Sequence, residues 1–405
     1  MFRILIVTLL VVTGTVFSAQ ADDKPVQPSE SFTQLLDKLK QHPEVAAYTS
    51  KADATDHFAK GELGLPDPML NMQEKDLPIG SSMSQDFEEK MIGFKQEIPA
   101  FGTRSAKSEG KKAEAHKTRL MGDFAFSTMK AKLIMALANA ERIRAQEKIL
   151  DEQSRLFASE RASIKGRIAA NQASVSQYSM SQADSTEIDL MRAELSEQKH
   201  ETHAMLTNMV GEVSDIAPPP ITLATWNNNP DQTYPVKIAA EDIIVAGKEV
   251  AMRESEFGPH FEVSADYGRM NNRDNAGTIM VGVSIPLWSS ESQRPKLAGA
   301  KASVTSAQLD QQSARRDITE KLDHLKAQIE TSRRKITLLE SKEKQLGQSA
   351  RAITREYESG KADVPMALKA RRDALSTRFA LVAEKAKHTG LIAEFNSYII
   401  AGDAQ

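Results

Sequence analysis

A narrow ring of carboxylates attracts cations and raises their local concentration. Asp184, Glu187, Asp189 and Asp363 are the residues placed to form one. Asp184 and Asp363 end two stretches of like spacing: Tyr178, Ser181, Ala183 and Asp184 recur, at a constant offset, as Tyr357, Gly360, Ala362 and Asp363. Gly360 suits a turn that needs a positive φ, and Ser181 holds the matching place. The plainer role for these carboxylates is to stabilise helix N-termini through the dipole. Among the 16 methionines, Met69 and Met72 flank the first strand, with Met83, Met91, Met270 and Met280 nearby. Thioethers suit Cu(I) or Ag(I), but methionine is also ordinary packing material. These six form no ligand cluster in the sequence. His200 and His203 share a helical face and read as solvated polar positions. No metal site or cofactor is expected. Catalytic motifs are missing too: there is no GxSxG, HExxH, Walker loop or cysteine. The chain does not read as an enzyme.

The elements that would carry these residues are mostly helical. No proline interrupts 103–178, and the only glycines between 296 and 359 are Gly299 and Gly347. At 1.5 Å per residue such runs reach about 100 Å. In the second, Ile318, Leu322, Leu325, Ile329, Ile336 and Leu339 form a coiled-coil seam, with Ser332 and Glu343 as interruptions. A simple two-stranded dimer is therefore not expected. Glu320-Lys321 and Arg371-Arg372-Asp373 read as solvated helix faces, with contact to a partner hairpin as the sharper alternative.

Two stretches alternate with period two instead. Phe261, Val263, Ala265 and Tyr267 oppose His260, Glu262, Ser264 and Asp266; Ile279, Val281, Val283 and Ile285 oppose Thr278, Met280, Gly282 and Ser284. This predicts a β-hairpin over about 260–286. A noisier one spans about 68–98, with Ile92, Phe94 and Ile98 on one side. Each hairpin ends in a similar motif, Ile98-Pro99-Ala100-Phe101 and Ile285-Pro286-Leu287-Trp288. Helix, hairpin, long helix, turn and helix thus occur twice, as an internal duplication at 22–211 and 236–400. The segment 212–235, with Pro218-Pro219-Pro220, reads as a stiff linker, and 401–405 as a tail.

Strands of about nine residues suit a tilted bilayer crossing. In lipid they must form a closed barrel, and four strands cannot close one. Copies must share it: two give eight strands, too narrow for a wide lumen, and three give twelve. Phe101 and Trp288 then sit where interfacial aromatics anchor. A soluble sandwich is the alternative that period two alone leaves open.

The N-terminus has Arg3, an apolar run from Ile4 to Phe17 and Ala19-Gln20-Ala21. It reads as a signal peptide over 1–21; the run is short for a retained membrane anchor. With no cysteine, neither disulfides nor a cysteine-linked lipid are expected. Lys and Arg total 52 against 55 for Asp and Glu, so bulk charge does not point to nucleic acid. Aromatic content of 5% favours elongated helical structure over a compact core.

Several segments resemble the TolC family of outer-membrane efflux proteins, in that family's order: GLPDPMLNMQEKDLP, FKQEIPAFGTR, AMLTNMVG, ESEFGPHFEVSADYG, VGVSIPLW and YESGKADVPMALKARRDAL. The first and fourth are most similar to the branch serving heavy-metal efflux. The resemblance implies a mainly α fold with a small β part. Long coiled-coil helices would form a trimeric periplasmic α-barrel, and four strands per chain would join a shared 12-strand outer-membrane β-barrel. It implies a homotrimer in Gram-negative outer-membrane lipid, working with a periplasmic adaptor and an inner-membrane pump, and passive conduction, here of heavy-metal cations. The stretches at Tyr178–Asp184 and Tyr357–Asp363 would be the periplasmic tips, with Glu187 and Asp189 as further gate candidates. The family often places aspartates six and nine residues after the tip glycine; this chain has Met366 and Lys369 there. The alternatives are a periplasmic coiled-coil adaptor, or the same duct serving drugs or secreted proteins.

Overall fold

The computed structural model describes residues 30–75, 89–171, 173–212, 216–270, 274–359 and 361–400. The expected signal peptide at 1–21, Met83, Gly360 and the expected tail at 401–405 lie outside the described residues.

Element order repeats along the chain. After α1 (Glu30–Lys40) come α2 (Pro43–Gly61), β1 (Met69–Lys75), β2 (Glu89–Ile98), α3 (Thr103–Ala169) and α4 (Val175–Val210). The second series is α5 (Tyr234–Ser255), β3 (His260–Met270), β4 (Asp274–Ser284), α6 (Gln293–Glu358) and α7 (Val364–Tyr398). α3 has 67 residues and α6 has 66, so each is a rod of about 100 Å. No helix among the described residues is long and apolar enough to cross a membrane.

The helices form a layer. α3 and α6 run its full length. α4 and α2 follow one another along one flank of α3; α7 and α5 follow one another between α3 and α6. The lateral order is therefore α2–α3–α5–α6 near the sheet and α4–α3–α7–α6 near the interhelical turns. The core sits between neighbours in this layer. At mid-length, Ile318, Leu322, Leu325 and Ile329 of α6 are buried with Val236, Ile392 and Phe395. Ser332 is buried as well. Its hydroxyl has no hydrogen-bond partner among the described residues, so the seam continues through Ser332 as a buried polar position.

The proline-bearing segment is not a free spacer. Residues 216–233 lie as a strap across α7. The Asn396 side chain accepts from the Ala224 N–H and donates to the Thr222 carbonyl, both at 2.8 Å. Trp226 meets Phe395 edge-on. Thr233 bridges to Ile399, which closes the joint between α7 and α5. Proline prevents helix here, and side-chain hydrogen bonds satisfy the backbone instead.

The four strands form one antiparallel sheet in the order β1-β2-β3-β4. The two hairpins therefore join through β2 and β3. Register aligns Leu70, Phe94, Ala265 and Ile279 in one row, with Gln96, Val263, Val281 and then Ile98, Phe261, Val283 below it. The period-two pattern thus becomes one continuous, largely apolar face. The opposite face carries rows such as Asn71, Gly93, Asp266, Thr278 and Met69, Lys95, Ser264, Met280. The apolar face is uncovered: Ile279 is 79% exposed and Leu70 69%. Gly268 lies on the polar face, where a Cβ would stand 1.9 Å from the Lys90 carbonyl oxygen. No larger residue fits between these strands.

Candidate functional site: the turn end of the helix layer

α3 ends where Asn171 takes φ 62°, a left-handed conformation that asparagine tolerates. α4 then starts from a capping box: the Ser174 hydroxyl accepts from the Gln177 N–H at 3.3 Å, and the Gln177 side chain accepts from the Ser174 N–H at 3.2 Å. The first turn is therefore at 170–174. Tyr178, Ser181 and Asp184 lie within α4, not in a turn, which corrects the placement drawn from their likeness to Tyr357, Gly360 and Asp363. Spacing resembled a turn where the residues that break a helix stand earlier. The second turn is where the sequence placed it. Tyr357 is in the last turn of α6, and Asp363 caps α7 by accepting from the Met366 N–H at 3.3 Å. Replacing Asp363 with alanine is expected to cost the first turn of α7 about 1 kcal/mol. Faster hydrogen exchange at Met366 and Ala367 would register it.

Charged side chains cross between helices just inside these turns. Glu160 of α3 is buried, its side chain 3% exposed, and it pairs with Arg371 of α7. Arg371 also donates to the Thr354 hydroxyl of α6 at 3.4 Å. Arg372 lies 3.6 Å from Asp184 of α4, and Arg167 stacks over the Tyr357 ring at 5.0 Å. Together these contacts tie α3, α4, α6 and α7. Arg372 and Asp373 are exposed, as the sequence suggested; Arg371 is not, its side chain being 13% exposed. The long stem of Arg371 reaches from the α7 surface to a carboxylate inside the layer, while Arg372 meets Asp184 from the solvent side.

Burial raises the Glu160 carboxyl above its ordinary range; Arg371 pulls it back down, and Asp184 pushes it further up. Burial likewise raises Asp184, opposed by Arg372 and reinforced by Glu187. Both carboxylates thus sit in a poorly solvated setting that two guanidinium groups make tolerable. One oxygen of each has no hydrogen-bond partner among the described residues. Between α4 and α7, over α3, lies a groove of about 600 Å³. Phe157, Ile188 and Phe379 give it an apolar floor, with Asp184 and Glu187 on one wall and Arg372 on the other.

No curated protein matches the sequence. Residues 235–389 match the family described as outer membrane efflux protein. Among solved structures, CusC, described in terms of transmembrane channel formation, superposes with a TM-score of 0.78 at 12% identity, covering 91% of each chain. The Campylobacter jejuni CmeC outer membrane channel gives 0.75 at 12% identity, over 98% of this chain and 96% of that one. The outer membrane protein VceC of Vibrio cholerae gives 0.72 at 17%, over 91% and 96%. The chain has the fold of these outer-membrane channels. The family match lies within its second half.

In this channel fold the sequence-derived residues fall into four groups. Asp184, Glu187, Tyr178, Ser181 and Tyr357 gather near the turn end; Ser181 is fully buried, and Tyr178 and Tyr357 join its apolar core. Asp189 is exposed and lies 3.8 Å from Arg192 of its own helix. Phe101 and Trp288 are exposed, at 79% and 70%, just past β2 and β4, and the Phe101 ring meets that of Phe261 at a tilt, 5.8 Å between centroids. His200 and His203 are exposed on α4. Sequence reading missed Glu160. Its signal was a lone acid on the buried stripe of α3, seven residues past Gln153 and four before Ile164, both of them buried.

Proposed function

We propose that three copies of this chain close a twelve-stranded barrel in a Gram-negative outer membrane and conduct substrate passively out of the periplasm. One observation carries the reading: among the described residues β1 and β4 each have one unpaired edge, in a sheet whose apolar face is exposed. In lipid such edges must be paired, and a four-stranded sheet does not close on itself. The helix layer has matching free flanks, α6 on one side and α4 with α2 on the other. The channel fold, the family match and the leader-like N-terminus support the same reading. Phe101 and Trp288 would then mark the membrane–water boundary. The turn end, with Tyr178, Ser181, Asp184, Glu187, Asp189, Tyr357, Gly360 and Asp363 around it, would be the closable periplasmic mouth, docking an adaptor that links to an inner-membrane pump. We further read 22–211 and 236–400 as duplicated units, and heavy-metal cations as the cargo.

Two measurements test this. Detergent-purified protein should have the mass of a trimer and form conducting pores in planar lipid; a non-conducting monomer would refute the duct. A strain lacking the gene should be sensitised to copper, silver, zinc or cobalt more than to detergents and antibiotics. The opposite pattern would transfer the cargo to drugs.

A further inference from the structure

The joint between α4 and α2 differs from the joint between α7 and α5. The second is sealed by the strap and the Thr233–Ile399 bridge. The first opens into a pocket of about 440 Å³ between the start of α2, the middle of α3 and the end of α4. Four of its twelve lining residues are methionines: Met129 and Met135 of α3, Met205 and Met209 of α4. His42 stands at its rim, from the turn before α2.

We infer that this pocket binds a soft monovalent cation, Cu(I) or Ag(I), through methionine thioethers and the His42 imidazole. α3 and α4 run antiparallel, and Asn139 donates to the Thr202 hydroxyl at 2.8 Å. That contact sets the level at which the helices face each other. It puts Met135 level with Met205, and Met129 near the level of Met209 between one and two helical turns away; Met135 also borders the gap toward Gly390 of α7. Met129 and Met209 are buried, while Met135 and Met205 are 40% and 51% exposed. Two thioethers are thus fixed by packing, and two can swing on three rotatable bonds each. His42 uses Nδ1 to accept from the Glu44 N–H at 3.3 Å, which directs Nε2 away from the backbone as the free ligand atom. Soft thioether donors select Cu(I) over oxygen-seeking divalent ions. Charge agrees: Glu44 and Glu201 line the pocket against the single ammonium of Lys132, leaving one negative charge for one monovalent cation. These are not the methionines that the sequence singled out, of which Met69, Met72, Met91, Met270 and Met280 are distributed over both faces of the sheet. The pocket lies within one chain, so the inference stands apart from barrel closure.

Ag(I) is the probe. The full chain has no cysteine, so any sulfur around a bound ion is methionine. Titration calorimetry of the detergent-solubilised protein in chloride-free buffer should show a saturable Ag(I) site at one per chain. X-ray absorption at the silver edge should show sulfur neighbours. Met205→Leu, a volume-conserving change at an exposed residue, should weaken binding at least tenfold, and adding Met135→Leu and His42→Gln should abolish it. Met69→Leu with Met280→Leu in the sheet should change nothing. Circular dichroism checks that each variant is folded. Absence of a saturable site, affinity unchanged in folded Met205→Leu, or a silver spectrum without sulfur would each overturn the assignment and leave these methionines as packing.

Discussion

Replacing Arg371 with alanine is expected to destabilise the turn end of the helix layer by about 3–5 kcal/mol at neutral pH, the usual cost of stranding one member of a buried ion pair. Glu160 is the group stranded. Its side chain is 3% exposed and that of Arg371 13%, so water cannot replace the guanidinium. The effect has a pH signature. Burial has raised the Glu160 carboxyl in the folded chain, so the folded state holds its proton more readily than the unfolded state does. The charged form therefore costs stability as pH rises through the folded value, and that cost is absent below the unfolded one. Arg371 limits the cost. Without it the folded value climbs further and the penalty at neutral pH grows. Acidification toward about pH 4, the ordinary carboxylate range, should let Glu160 protonate and shrink the difference between variant and parent to the lost packing of the arginine stem. Hydrogen-exchange protection of 155–165 and 367–375, measured at both pH values, reads this directly. Equal loss of protection at the two pH values would mean that Arg371 acts by packing alone. A double change to Glu160→Met and Arg371→Leu should recover most of the stability, since apolar residues of like volume commonly match or exceed a buried pair.

Such a network is hard to see in a sequence, and the reason is physical. Glu160 and Arg371 are 211 positions apart, and each taken alone looks like surface charge on a helix. Only the layer order, with α7 packed beside α3, brings them together. The four methionines of the α4–α2 joint were hidden in the same way. What could be read was local. Alternation in β3 and β4 gave both faces of the sheet, because a period of two admits one arrangement once a face must be apolar. Sparse glycine and missing proline gave the two long rods. The first interhelical turn was misplaced because likeness to the second half was weighed above stop signals. Asn171 and the Ser174–Gln177 box were present in the sequence, and they are what end one helix and start the next. The strap at 216–233 shows the converse limit. Its prolines announced that no helix would form but carried no sign of what the segment would pack against, which Asn396 decides from the far end of the chain.

The uncovered apolar face of the sheet carries the other large effect. Ile279 lies on that face near the middle of β4, and Met280, the next residue, lies on the polar face. Arginine at a lipid-facing barrel position near the bilayer midplane costs about 2–4 kcal/mol, and in the proposed trimer that cost would recur in each copy. Ile279→Arg is therefore expected to abolish or sharply reduce the folded oligomer recovered from membranes. In the proposed barrel Met280 would face the lumen, where an arginine stays hydrated, so Met280→Arg should fold and should alter conductance instead. Destabilisation by Ile279→Arg alone would not separate lipid from a second protein layer, since burying a guanidinium is costly in either. Tryptophan resolves the two. With Trp226 and Trp288 replaced by phenylalanine, a tryptophan at position 279 should be quenched strongly by brominated acyl chains in reconstituted vesicles, and one at position 280 weakly. Equal quenching at the two positions, or none at 279, would mean that the face formed by Leu70, Phe94, Val263 and Ile279 rests on protein, and that the edges of β1 and β4 close against something other than further copies of this chain.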